Sequence, residues 1–280
     1  MTSTKERQRA AAKARLQRNM AAQATRARKR RQTQAVVGAG AALLLVVAGT
    51  VWLATTVVGD DDDDKQKTSG ASGLVQCAFT EMPKENRTKE IKDVGLPQGQ
   101  QANTGVQTLT MDTNLGPITA KVDRAASPCT AASFTHLASK NFFDNSKCHR
   151  LVTEGIQVLQ CGDPSATGKG WRETDGTGGP AYKLTEENLP TDKRPAYPKG
   201  VIAMANSGQP GSTGSQFFIV YGDSQLDPNY TVLGTITGGM DIVEAVAKAG
   251  DDKAFAKQAG GGHPKKEVVI KKLTMSEPQG

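Results

Sequence analysis

Apolar and polar positions alternate singly along residues 107–122. Leu109 and Met111 interleave with Thr110 and Asp112, then Ile118, Ala120 and Val122 with Thr119 and Lys121. A period of two marks strands with one buried face, and Asn114 and Gly116 between the runs predict a hairpin. After Ser127 and Pro128 the period lengthens. Proline suits a first helical turn, and Phe134, Leu137 and Ala138 fall at helical spacing in a helix reaching Ser139. A second helix is predicted over Met240 to Ala249, with Ile242, Val243 and Val246 as its buried stripe. Short apolar runs near 148–152, 156–161, 201–205, 216–221, 231–236 and 267–273 predict further strands. Many short strands and two helices, without alternating strand–helix units, argue for an antiparallel barrel or sandwich. No internal repeat is evident.

The first hundred residues read differently. Ala35 to Val58 carries no charge, and as a helix it would be about 36 Å long, enough for a bilayer core of about 30 Å. Residues 1–31 hold eleven Lys or Arg against one Glu, and Asp60 to Asp64 follow the apolar run as five successive carboxylates. Basic before and acidic after predicts a signal-anchor that keeps the N-terminus in the cytoplasm and carries the rest across. The net charge of +7 therefore belongs to the tail; the remaining 24 basic and 27 acidic residues leave the body mildly acidic. No nucleic-acid partner is expected. The chain divides into a basic tail (1–34), a transmembrane anchor (35–58), an acidic and polar spacer (59–105) and a folded domain (106–276). Within the spacer, only the patch from Val75 to Phe79 looks tethered.

Five runs carry candidate chemistry: Cys148-His149-Arg150, Leu159 to Asp163 (LQCGD), Val201 to Gly208 (VIAMANSG), Gly214 to Val220 (GSQFFIV) and Leu226 to Gly234 (LDPNYTVLG). In this order they closely resemble the cyclophilin family of peptidyl-prolyl cis/trans isomerases, over roughly Gln107 to Thr274. The resemblance implies a closed eight-stranded antiparallel barrel capped by two helices. It implies an isomerase, or rotamase, acting on proline-containing peptide or unfolded segments, with no cofactor and no metal.

An X–Pro bond rotates slowly because amide resonance imposes a barrier of roughly 20 kcal/mol. Catalysis needs an apolar cup for the ring, a fixed donor near the prolyl nitrogen and groups that anchor the preceding carbonyl. The resemblance assigns the donor to Arg150, whose guanidinium is a permanently charged planar fork. It assigns substrate anchoring and orientation of that arginine to Gln160. Val158, Phe218 and Leu226 match the lining of the proline pocket, with Phe217 facing the core because strand neighbours point opposite ways. Ala205, Asn206 and Ser207 match the segment that pairs with substrate, with Gln216 beside it, and Gly176 matches the glycine-rich rim of a neighbouring pocket.

Several positions depart from the family. Gln157 stands where a large apolar side chain is usual, with Ile156 as the alternative at that place. Gln225 replaces a tryptophan that contacts cyclosporin, Tyr230 a histidine at the pocket edge, and Cys148 a phenylalanine. A weakened response to cyclosporin and modest activity are expected. The insert around Lys169 to Glu173 looks long and could alter substrate access.

Cys148, His149 and Cys161 do not make a zinc site, since adjacent strand side chains diverge and no fourth ligand is suitably spaced. The four cysteines fall beyond the anchor, where disulfides persist. The strands holding Cys148 and Cys161 should be neighbours, which favours that pair and leaves Cys77 with Cys129; four free buried thiols remain the alternative. The reading is a monomeric isomerase on the outer face of a cell membrane, assisting folding of secreted or surface proteins. The alternative is a chaperone or scaffold that holds proline segments with little catalysis.

Overall fold

The structure, a computed structural model, describes residues 73–222, 224, 226–257 and 259–279. The predicted anchor at Ala35 to Val58 and the basic tail lie outside the described residues, as does Gln225. No helix among the described residues is long and apolar enough to cross a membrane.

Nine strands form one sheet: β1 (Val106–Thr113), β2 (Gly116–Asp123), β3 (Ser146–Lys147), β4 (Arg150–Val152), β5 (Val158–Cys161), β6 (Val201–Met204), β7 (Phe217–Val220), β8 (Val232–Gly238) and β9 (Val269–Met275). The order is β3-β9-β1-β2-β8-β6-β7-β5-β4, and every pair is antiparallel. The β1–β2 hairpin keeps the alternation read from its residues: Leu109, Met111, Ile118, Ala120 and Val122 are all buried, with Met111 opposite Ile118.

The end strands β3 and β4 do not pair with each other, yet only Cys148 and His149 separate them in the chain. The sheet must therefore curl, because so short a stretch of chain links its two edge strands. The break between β3 and β4 is local: Cys148 N–H donates to Val268 O (3.0 Å) and Leu151 N–H to Gly262 O (2.8 Å). Where a closed eight-stranded barrel is expected, the hydrogen bonds describe a curled half-barrel with two helices.

Helix α1 (Pro128–Ser139) buries Phe134 and Leu137 against the sheet. Its preceding Ser127 makes no side-chain cap; the Ser127 hydroxyl donates to Val232 O instead (2.6 Å). The cap comes from far away. The Glu187 carboxylate accepts Thr130 N–H (2.6 Å) and the Thr130 hydroxyl (2.7 Å), placing negative charge where helix amides lack partners. Helix α2 (Met240–Ala249) buries Val243 and Val246.

The spacer boundary also shifts. From Gly73 the chain is folded onto the sheet domain rather than running free to residue 105. Leu74–Gln76 pairs with Gln100–Ala102, Phe79–Glu81 with Tyr182–Leu184, and Ile91–Lys92 with Gly179–Pro180. Disulfides join Cys77 to Cys129 and Cys148 to Cys161. The first ties this arm to the start of α1, and the arm's low hydrophobicity is offset by that bond and by backbone pairing.

Alternation on the curled sheet divides the apolar residues into two sets. Leu151, Leu159, Ile202, Met204, Phe217 and Ile219 enter the main core with both helices. Their neighbours Val152, Val158, Val201, Ala203, Phe218 and Val220 face the other way, onto a second cluster roofed by Tyr197, Leu226 and Tyr230.

Candidate active site

The second cluster holds the site. Arg150 lies opposite Gln160 on β4 and β5, Gln160 opposite Phe218 on β7, and Phe218 opposite Ala203 on β6. Residues directly opposite share a sheet face, so register alone lines these side chains in a row across four strands.

Beside the row is a cavity of about 160 Å³. Val158, Ile156, Phe218 and Leu226 form its apolar wall, Arg150 and Gln160 one edge, and Tyr230, Ala205 and Asn206 the other. Phe218 packs edge-on against Tyr230, with ring centres 5.4 Å apart, and against Tyr197 at 6.2 Å. The Tyr197 hydroxyl donates to Tyr230 O and accepts from Tyr230 N–H, both at 2.8 Å, fixing the loop that carries the roof. Burial pushes the Tyr197 hydroxyl up to about 12, so it stays a donor at ordinary pH.

The polar edge is a directed chain of hydrogen bonds. Arg150 Nη1 donates to Gln160 Oε1 (3.1 Å), Gln160 Nε2 to Gln216 Oε1 (3.0 Å), and Gln216 Nε2 to the carbonyls of Gly176 (2.7 Å) and Gly178 (3.0 Å). On its other side Arg150 Nε donates to Gly260 O (3.1 Å) and Nη2 to Ala259 O. The guanidinium is thus clamped in its plane between Gln160 and a loop near the C-terminus. Burial lowers its pKa.

Gly176 and its neighbours border a second cavity of about 280 Å³, which shares Gln160, Ala205 and Asn206 with the first. The buried Asp163 carboxylate shapes this rim, accepting Gly176 N–H (2.6 Å) and Gly178 N–H (3.0 Å) as well as Ser165 N–H (2.7 Å). Gly176 has φ of +96°, and a Cβ there would meet His149 Cδ2 at 3.0 Å, so both conformation and space call for glycine. His149 itself is buried with neither ring nitrogen hydrogen-bonded within the described residues. Burial pushes its pKa down to about 4, partly opposed by the charges of Asp163 and Asp175. It is a neutral platform beneath the rim.

Most of the residues singled out from sequence converge here, but not all in the same place. Arg150, Gln160, Val158, Phe218, Leu226, Tyr230, Ala205 and Asn206 border the first cavity. Gly176, Ser207 and Gln216 border the second. Gln157 borders neither. Its backbone is held by Ser224 and Tyr221, and Ile156 fills the apolar place instead, because the strand leaves its turn one residue out of phase with the expected position. Tyr197, Asp163, Lys183 and the 259–260 carbonyls were not singled out. Loop backbone leaves no residue-type signal, and Tyr197 lies 33 residues from the Tyr230 it supports.

Apolar cup, clamped guanidinium and amide anchor, on a curled sheet with two helices, define the class. Residues 108–275 match the family model described as cyclophilin type peptidyl-prolyl cis-trans isomerase/CLD, and the chain belongs to that family. It is 43% identical over 201 residues to the probable peptidyl-prolyl cis-trans isomerase B of Mycobacterium leprae, covering 67% of this chain and 63% of that one. It is 42% identical over 199 residues to the protein of the same description from Mycobacterium tuberculosis, covering 65% and 59%. The chain thus spans about three-fifths of the length of these curated relatives. A crystal structure of a cyclophilin type isomerase from Cryptosporidium parvum superposes with a TM-score of 0.51 at 24% identity, covering 62% of this chain and 99% of that one, which shows the fold. The same protein has been crystallised in the presence of the dipeptide Ala-Pro.

Proposed function

We propose that this domain catalyses cis–trans isomerisation of X–Pro bonds. The observation that carries the reading is the Arg150–Gln160 pair, 3.1 Å apart, at the edge of an apolar cavity floored by Phe218. The proline ring enters the cup between Val158, Phe218 and Leu226, which disfavours water around the amide. Gln160 holds the carbonyl side. Arg150 donates to the prolyl nitrogen as rotation breaks amide resonance and returns its lone pair, an interaction available only in the twisted state. Because Arg150 is already clamped, little reorganisation accompanies that step. No bond is made or broken and no proton need leave the enzyme.

The finer expectations belong with this reading. Residues 146–152 act as one strand that closes the sheet into an eight-stranded barrel. A monomer is anchored through Ala35 to Val58, with the domain outside the cell membrane, where it assists folding of secreted or surface proteins.

Isomerisation of an Ala-Pro peptide by the full chain, beside Arg150→Ala, tests the activity. Removing one preorganised transition-state donor lowers kcat by about a hundredfold or more, with the fold retained by circular dichroism. Unchanged turnover in the variant would overturn the mechanism. A holding module with little catalysis is the second reading, favoured by Tyr230 at the cavity edge and by the commitment of Arg150 Nε and Nη2 to loop carbonyls. Rate at saturating peptide separates the two.

A further inference from the structure

Among the described residues, the second cavity is lined by one charged side chain. Lys183 lies on the strand Tyr182–Leu184, whose flanking Tyr182 and Leu184 are buried in the main core, so alternation turns Lys183 to the opposite face. Its position is rigid. Lys183 pairs with Thr80 on one side, and Leu184 N–H donates to Thr213 O on the other (2.9 Å). The ammonium lies over Gly214, where a Cβ would come within 3.1 Å of Nζ.

No carboxylate among the described residues lies within ion-pair distance of Lys183, and its ammonium makes no hydrogen bond there. Burial lowers its pKa from 10.5 with no opposing charge. The nearby Glu186 is engaged elsewhere, accepting Gly211 N–H (2.8 Å) and the Thr213 hydroxyl (3.0 Å).

Much of the rest of the wall is already engaged within the protein. The Gln160 and Gln216 amides bond each other and the rim carbonyls. The hydroxyls of Thr177, Ser212 and Ser215 donate to Thr174 O (2.7 Å), Gln209 O (2.5 Å) and Gly162 O (2.8 Å). With the Ser207 hydroxyl in the same lining, a half-buried ammonium in an otherwise neutral cavity is a site that lacks its anion.

We propose that the second cavity binds an acidic side chain of the substrate, and that Lys183 makes the protein selective for proline segments with Asp or Glu close to the proline. The inference rests on the isomerase reading for the identity of the occupant. The cavities share Gln160, Ala205 and Asn206, so a chain seated in the first reaches the second within one to three residues, at about 3.3 Å per residue. The guanidinium of Arg150, across Gln160, adds to the positive potential.

The test uses the full chain and alanine peptides with a single proline. Glu, Ala or Lys is placed in turn at each of the three positions before and after it, and both kcat/KM for isomerisation and Kd are measured. At one position or more, Glu is favoured over Ala by about tenfold, as for one charge-assisted contact, and Lys falls below Ala. The Glu/Ala ratio falls to about one in Lys183→Gln and inverts toward Lys in Lys183→Glu. In the unaltered chain it also shrinks as sodium chloride rises from about 0.1 M to about 1 M, where the screening length drops from about 10 Å to about 3 Å. That salt series stands even where a variant misfolds. Equal Glu and Ala peptides at every position would sink the proposal, as would a Glu preference that persists in folded Lys183→Gln. Absence of turnover with all peptides would refute the isomerase reading, and the Kd ratios would still decide the subsite.

Discussion

At the scale of single residues, buried polar groups set the properties of this site. His149 is held neutral to about pH 4, whereas an unfolded histidine takes its proton near 6.5. Between these values the unfolded chain binds more protons, so stability falls as pH is lowered through that window. The loss grows across the window and reaches ~3 kcal/mol only as pH falls to the folded value of about 4. Urea midpoints measured from pH 7 down to pH 4 should show this decline, and His149→Leu should flatten it; an unchanged profile in the variant would place the acid sensitivity elsewhere. Gln216 links Gln160 to the Gly176 and Gly178 carbonyls. Gln216→Leu leaves Gln160 free to turn and the rim carbonyls unpartnered. We expect kcat to drop about tenfold, in line with the loss of one or two buried hydrogen bonds at about 1 kcal/mol each, with KM changed less. A rise in KM with kcat unchanged would contradict a positioning role.

At the scale of elements, long-range ties hold what local sequence does not. Helix α1 depends on a carboxylate 57 residues away from Thr130 for its first turn. Glu187→Ala should lower stability by about 1–2 kcal/mol, the worth of a helix cap, read as a shifted urea midpoint with unchanged slope. The Cys77–Cys129 bond closes a 52-residue separation, and on the chain-entropy model its removal costs about 4 kcal/mol. At about 2–4 °C per kcal/mol for a domain of this size, the Cys77→Ser, Cys129→Ser pair should melt roughly 8–16 °C lower. Turnover below that transition should be preserved, because neither cysteine borders the cavities.

At the scale of the whole molecule, the site is assembled by loops that meet far from where they begin. The Trp171 ring stacks on His263 with centres 4.6 Å apart, Phe255 meets His263 edge-on at 4.7 Å, and Lys147 Nζ lies 4.3 Å from the Trp171 ring centre. The His263 Nδ1 is 2.8 Å from the Asp252 carboxylate. This stack ties the insert around Lys169 to Glu173 to the loop whose Ala259 and Gly260 carbonyls clamp Arg150. Trp171→Ala should therefore loosen the guanidinium and reduce kcat about tenfold with KM within about twofold, while Trp171→Phe, which keeps a stacking face, retains most of the rate. Equal losses in both variants would argue against the stack as the cause.

What the sequence by itself determined is whatever rests on period and local chemistry. Alternation at Leu109 to Val122 gives the hairpin and its buried face, and Pro128 with Phe134 and Leu137 gives the helix. The ordered motifs gather Arg150, Gln160 and Phe218 on one function, and side-chain alternation separates Phe218 from Phe217. Tertiary structure alone decided the rest. Whether Gln157 or Ile156 enters the cavity depends on where a turn hands over to a strand, a one-residue difference that reverses the facing of a side chain. The carbonyls of Ala259 and Gly260 carry no residue-type signature, and Lys183 looks like any strand lysine until Gly214 and the rim close around it. The arm from Gly73 to Gly105 has too few apolar residues to announce a fold. It is ordered by partners, Cys129 and the strand Tyr182–Leu184, that lie far along the chain, and cooperation over such distances leaves no local pattern to read.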